Sequence, residues 1–277
     1  MIYNYSTKPQ GKFRAKVKGS TSPIDTEGQT RAKASVFYLG TENETRKTRN
    51  NPSIDYRELD HRLEATCQEV YNKTDCSIDD THGTGLEIIT HPCTIGYWFS
   101  SNLAERICQT TKECGFNGDH SSCGYHVHIS KSPFIAKGMD LRKIEASFVL
   151  GFERFWDEFS KLSARRSNRY GSNPFTYCAR TNKRTMAEAL EFVDWQKRSH
   201  ENRYFCINVQ NSNTIEVRLW SGTSDPQRIK AYISLTYGVA TFLLNGGDVE
   251  TCTFKEFINY DHLPSESAKW MHTCGLV

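Results

Sequence analysis

The sequence has no apolar run approaching the length that spans a bilayer, and its first residues, MIYNYSTKPQGKFRAKVKG, lack the apolar centre of a secretory signal. It holds ten cysteines but no C-x-x-C, which argues against a zinc ribbon or a thioredoxin-type pair. There is no internal repeat and no low-complexity stretch. Charge of one sign is also scarce: the net value is +3 and the pI near 8.3, well short of a nucleic-acid binder. These absences point to a soluble, cytoplasmic protein with no membrane partner. In such a compartment the cysteines are expected to be reduced and packed.

What is present suits one large mixed domain. Aromatics reach 12% of 277 residues, enough for a sizeable core. Residues 1–30 are polar and without period, and read as a flexible segment or lid; 31–277 read as a single domain. A β-type run covers 34–39, and a helical stretch with Leu59, Leu63 and Val70 on one stripe covers 55–71. Strand 85–90 stops at Pro92. Helix 95–114 follows, with Gly115 as its C-cap signal. Strand 123–130 precedes helix 140–162, whose Leu141, Ile144, Phe148, Phe152, Phe155, Phe159 and Leu162 recur at helical spacing.

Thr185 and Glu188 form a capping-box pattern for helix 186–198. Strands 203–210 and 213–220 suggest a hairpin, and Asp225-Pro226 opens helix 226–244, which ends at Gly246-Gly247. Strands joined by both hairpins and helices predict an α+β fold with a largely antiparallel sheet and helices on one face.

The chemistry lies in the alternation of four strands, because residues two apart share a face. Glu42 and Glu44 share one side, as do His126 and His128, and Glu216 and Arg218; Glu87 sits between Leu86 and Ile88. A lone E-x-E or H-x-H is ordinarily a solvated strand face. Four such strands, with their apolar side buried, would gather these groups on the exposed face. Carboxylates crowded together repel unless divalent cations are shared among them. Glutamates with one or two histidines favour Mg²⁺ or Mn²⁺. Arg218 would then serve as an anion partner, and metals plus arginine are the equipment that holds ATP phosphates.

The segment Gly124-Tyr125-His126-Val127-His128-Ile129-Ser130 resembles the G-x-H-x-H-x-S signature of glutamine synthetases. Thr214-Ile215-Glu216-Val217-Arg218 resembles the IE-x-R segment shared with glutamate–cysteine ligases. Gly40-Thr41-Glu42-Asn43-Glu44 and Leu86-Glu87-Ile88-Ile89-Thr90 are similar to the G-x-E-x-E and LE-x-IT elements of the latter. The order of motifs, with an acidic segment at Asp75-Cys76-Ser77 and an Arg/Asn strand at Arg203 and Asn208, resembles the amidoligase family. That is a compact branch often found on phages and other mobile elements. The likeness runs over about 36–244.

The resemblance implies a curved sheet like that of the glutamine synthetase catalytic domain, and an ATP- and Mg²⁺-dependent carboxylate–amine ligase working through an acyl phosphate. Glu42, Glu44, Glu87, His126 and Glu216 would hold two or three Mg²⁺ ions, with Glu42, Glu216 and Arg218 at the reacting centre. His128 and Arg218 would contact ATP phosphates. Arg203 would grip a carboxylate or phosphate. Asp75 would be a further metal or amine-site ligand, with Asp79 and Asp80 as competitors. The substrates would be small-molecule or peptide carboxylates and amines.

Two other readings stand beside this one. The first is a metal-dependent hydrolase built on His126-x-His128, which needs a third nitrogen or sulfur ligand. The second is a binding protein on a ligase fold. Arg165, Arg166, Arg169, Arg180, Lys183 and Arg184, interleaved with Tyr170, Phe175 and Tyr177, make nucleic acid a conceivable partner, though a solvated basic loop is the favoured reading. The loop 163–184, like the first 30 residues, is a candidate lid.

Overall fold

Strand and helix signals alternate along the chain, and a computed structural model resolves them into one mixed sheet and its helices. It describes residues 2–3, 33–48, 55–75, 78, 85–120, 122–164, 180–199 and 205–276. In chain order these form β1 (Ile2–Tyr3), β2 (Leu39–Lys47), α1 (Tyr56–Thr66), β3 (Val70–Asp75), β4 (Gly85–Thr90), α2 (Ile95–Ser100), α3 (Leu103–Glu113) and β5 (Phe116–Asn117). Then come β6 (Gly124–Ser130), α4 (Ser132–Ala136), α5 (Leu141–Arg154), α6 (Trp156–Ser163) and α7 (Met186–Arg198). The chain closes with β7 (Ile207–Asn208), β8 (Thr214–Ser221), α8 (Pro226–Leu244), α9 (Phe254–Phe257), a 3-10 turn (Tyr260–His262) and α10 (Ser265–Thr273).

The fold is α+β. The sheet runs β1-β3-β4-β2-β6-β8-β7, with β5 paired to β2 off this path. Every pairing is antiparallel except that of β1 with β3. One face is apolar. Leu86, Ile88, Tyr125, Val127, Ile129, Ile215 and Val217 are buried there with Trp98, Phe148, Phe152 and Tyr232 from the helices. The aromatic stripe expected of 140–162 is core: Phe152 and Phe159 stack at 4.1 Å and both meet Trp220 edge-on.

Trp220 reaches that core through a register irregularity. Tyr125 pairs with Trp220 while Val127 pairs with Val217, so β8 carries an extra residue opposite β6. Such a bulge breaks the two-residue alternation. Glu216 and Arg218 stay on the polar face, and both Leu219 and Trp220 turn inward.

Several boundaries differ from those expected. The strand expected at 34–39 lies later, at 39–47, so Glu42 and Glu44 stand inside it, and Gly40 is a strand residue beside Thr90 O. Helix 55–71 ends at Thr66, and Val70 begins β3, whose backbone pairs fully with β4. Helix 95–114 is two helices broken at Asn102, which adopts a left-handed conformation at φ 52°. Helix 140–162 breaks at Phe155. Among the described residues of the first hairpin strand, expected over 203–210, the ladder covers Ile207–Asn208. Helices 186–198 and 226–244 match the expected bounds, with the capping box and the Asp225 cap in place.

The described cysteines form no disulfide with one another, and all but Cys274 are buried. Among the described residues no helix is long and apolar enough to cross a membrane.

Candidate active site

Strand register gathers the candidate groups on the polar face. Glu42 sits opposite His126 across β2 and β6, His128 opposite Glu216 across β6 and β8, and Glu44 opposite Glu87 across β2 and β4. Directly opposed residues on one face have Cβ atoms about 5 Å apart, so their polar ends meet without any loop to position them. His126 Nδ1 lies 3.2 Å from Glu42 Oε2 and 3.6 Å from Glu216 Oε1, and its Nε2 lies 3.9 Å from Glu44 Oε1. His128 Nε2 lies 3.3 Å from Glu42 Oε1 and 3.9 Å from Glu216 Oε1. Arg218 donates to Glu216 Oε1, and Asn208 Nδ2 donates to Oε2 at 2.7 Å.

Two overlapping sets emerge among the described residues. Glu42, Glu87 and His126 bring one ligand atom each within 4.8 Å of one another, and so do Glu42, His128 and Glu216. Glu42 belongs to both. Glu44 belongs to neither; its Oε2 takes the N–H of Gly124, and its other oxygen faces His126. Register puts Asp75, opposite Gly85, on the face of Glu87, but its side chain lies outside the described residues, as do Arg203, Asp79 and Asp80. Of the basic loop, residues 165–179 also lie outside them, together with most of the polar segment 1–30.

One expectation is corrected: the polar face is not open to solvent. Glu87 and Glu216 are 3% exposed and His126 4%. Glu42, His128 and Arg218 keep a partial opening, with side chains 25%, 19% and 16% exposed. The cause is strand spacing. At about 4.8 Å between neighbours, long side chains on adjacent strands cover one another.

Burial raises the cost of charge, yet the charges persist because they are mutual. Burial pushes the Glu42 carboxyl up, but the adjacent His128 charge and the hydrogen bond and charge of His126 hold it well below the ordinary glutamate range. Glu216 is likewise pushed up by burial and held down by Arg218 and His128. Burial pulls His128 down, and Glu216 and Glu42 hold it above the usual histidine value.

The chemistry of these donors fits a hard divalent ion. Carboxylate oxygens with one imidazole per set suit Mg²⁺ or Mn²⁺. His128 Nε2 is buried and makes no aligned hydrogen bond although two carboxylates stand within 4 Å of it. A nitrogen and two carboxylates converging out of line for hydrogen bonds is the arrangement an ion between them would use.

Two groups escaped the sequence reading. Tyr71 and Lys73 of β3 share the polar face, Lys73 opposite Glu87 and buried. Burial and the charges of Glu42 and Glu87 push the Tyr71 phenol up, which sets it beside the cluster. The V-x-N-x-T alternation at 70–74 was the available signal, masked by the preceding helix.

The model of a family described as "Putative amidoligase enzyme" matches residues 46–240, more than half of the chain. That span holds Glu87, His126, His128, Glu216 and Arg218, and begins just after Glu44. No curated protein matches the chain. Among solved structures it is similar to that of a bifunctional glutathione synthetase from Pasteurella multocida, with 13% identity and a TM-score of 0.41. The alignment covers 87% of this chain and 41% of the other, so the chain spans less than half the length of that protein.

Proposed function

The chain belongs to the amidoligase family, and from that premise we propose that it is an ATP- and Mg²⁺-dependent ligase that joins a carboxylate to an amine through an acyl phosphate. The observation that carries this reading is the pair of ligand sets sharing Glu42, with Arg218 beside them. In this reading residues 31–277 act as one ligase domain. Glu42, Glu87 and His126 hold one divalent ion; Glu42, His128 and Glu216 hold a second. Divalent ions bound there supply positive charge against the triphosphate.

The rest falls to the side chains. Arg218 balances charge on the transferring phosphoryl group, and Asn208 keeps Glu216 oriented. A carboxylate oxygen of the acid attacks the γ-phosphorus, and the bond to the ADP oxygen breaks. The amine nitrogen then attacks the acyl carbon, phosphate departs, and the nitrogen's proton passes to a carboxylate of the cluster. The low exposure of Glu87, His126 and Glu216 suits a chemistry in which water would waste the acyl phosphate. Arg203 and Asp75 remain candidates for gripping the acid and the amine.

The hydrolase reading is weaker, because His126 and His128 fall in separate sets and neither set offers two nitrogens. The test is ADP formation with Mg²⁺ across a panel of acids and amines. The ligase reading expects ADP release that requires the metal and both organic substrates, and that Glu216→Ala abolishes. Metal-independent turnover would overturn it, as would a single tightly bound zinc with no use of ATP.

A further inference from the structure

Strand β7 ends the sheet and carries Asn208, which stands opposite Glu216 of β8. Cys206 O accepts the Arg218 N–H across that pairing at 2.9 Å. Main-chain groups alternate sides along a strand, so the carbonyl of Ile207 and the N–H of Val209 point away from β8. On an edge strand such groups have no neighbouring strand to meet. A side chain meets them here. Gln196 of α7, fully buried, donates from Nε2 to Ile207 O at 3.1 Å and accepts the Val209 N–H on Oε1 at 2.9 Å. One primary amide thus stands in for the peptide group of a further strand, on the two residues that flank Asn208.

Gln210 ties the same two elements from the other side. Its Nε2 donates to the main-chain carbonyls of Gln196, at 3.0 Å, and of Ser199, which lie at the end of α7 where the helix itself supplies no donor. Its own N–H donates to Asn208 Oδ1 at 3.0 Å. Asn208 is therefore fixed by its backbone through Gln196 and by its side chain through Gln210, and its Nδ2 is left to Glu216 Oε2 at 2.7 Å.

A ladder of two residues is short for a strand, and the two amides add the restraint that it lacks. We infer that Gln196 and Gln210 are positioning residues, a clamp that locks β7 to α7 so that Asn208 sets the orientation of Glu216 in the Glu42–His128–Glu216 set. That the oriented carboxylate meets an ion rests on the function proposed above; that the clamp sets Asn208 rests on this geometry alone.

The test uses the full chain. Without metal, ¹⁵N NMR follows the Asn208 side-chain amide, assigned by its loss in Asn208→Ala. Held against a buried carboxylate, it is expected to exchange slowly with solvent in the wild type and about tenfold faster in Gln196→Met and in Gln210→Ala. Mn²⁺ titration should then show each variant weakening one of two ions by about tenfold, with no further loss when it is combined with Asn208→Ala. Gln210→Ala keeps the main-chain bond to Asn208 and alters a partly exposed side chain, so it decides the matter if Gln196→Met does not fold. A lower unfolding midpoint with slow Asn208 exchange and unchanged Mn²⁺ affinity would reduce the clamp to a structural tie and overturn the inference. Losses that add to that of Asn208→Ala, or that fall equally on both ions, would also overturn it. A wild type that binds no Mn²⁺, with exchange still faster in the variants, would count against the proposed function alone. A wild type that binds two ions, with exchange unchanged in the variants, would count against the clamp alone.

Discussion

Asn208 holds Glu216 by one oxygen and leaves the other to the cluster. Its Nδ2 donates to Oε2 at 2.7 Å from the facing strand, while Oε1 meets Arg218, His126 and His128. Asn208 is itself fixed, since its Oδ1 accepts the N–H of Gln210 at 3.0 Å. A carboxylate pinned in this way has a single presentation to an ion. Asn208→Ala removes the pin and leaves the ligands. Mn²⁺ affinity, measured by calorimetry, is expected to fall by roughly 10–100-fold, with the circular dichroism spectrum unchanged. Unchanged affinity would show that Glu216 needs no such support.

The helical layer behind the sheet depends on a close approach at Gly238. A Cβ added there would stand 2.1 Å from the carbonyl oxygen of Ile258, a backbone atom that cannot turn aside. Gly238→Ala is expected to destabilise the protein by about 1–3 kcal/mol, the usual range for overpacking a tight core. The denaturant midpoint should shift with the slope unchanged; an unshifted midpoint would mean that α8 and the segment after α9 can separate at no cost.

Acid should weaken a second buried network. Glu69, just before β3, is 4% exposed in its side chain and accepts from Arg106 Nη2 at 2.7 Å, Arg106 Nη1 at 3.2 Å and Tyr97 Oη at 2.5 Å. Burial pushes its carboxyl up, and the bonds from Arg106 and Tyr97 outweigh burial, so it stays below the ordinary value of 4.5. A folded value below the unfolded one means that the stabilisation is complete above about pH 4.5 and is lost as pH falls through the folded value. Unfolding midpoints taken from about pH 6 to about pH 3 should decline, and Glu69→Gln should flatten part of that decline. An identical slope in the variant would remove Glu69 from the acid response.

Much of this fold was legible where a local signal decides the outcome. Thr185 with Glu188, and Asp225 with Pro226, place the starts of α7 and α8 because each cap satisfies backbone N–H groups within a few residues. The gathering of the candidate groups was legible for a similar reason. Strand alternation assigns Glu42, Glu87, His126, His128, Glu216 and Arg218 to one face without knowledge of strand order. What escaped the sequence depended on distant partners. Val70 continues the Leu59 and Leu63 stripe in sequence, and only the full ladder with β4 makes it a strand residue; Tyr71 and Lys73 went with it. The bulge that sends Trp220 inward is a property of the β6–β8 pair. Burial of the site follows from neighbouring strands, so alternation alone suggested an open face. Gln196 and Gln210 tie α7 to β7 only once the two elements lie side by side, and they carry no joint motif.

The central claim is that Glu42 links two cation sites. Mn²⁺ titration followed by electron paramagnetic resonance tests it most directly, on the full chain beside Glu42→Gln and Glu87→Gln. The wild type is expected to bind two ions, Glu87→Gln to keep one, and Glu42→Gln to lose both. Wild-type binding of Mn²⁺ that survives undiminished in Glu42→Gln would contradict the account.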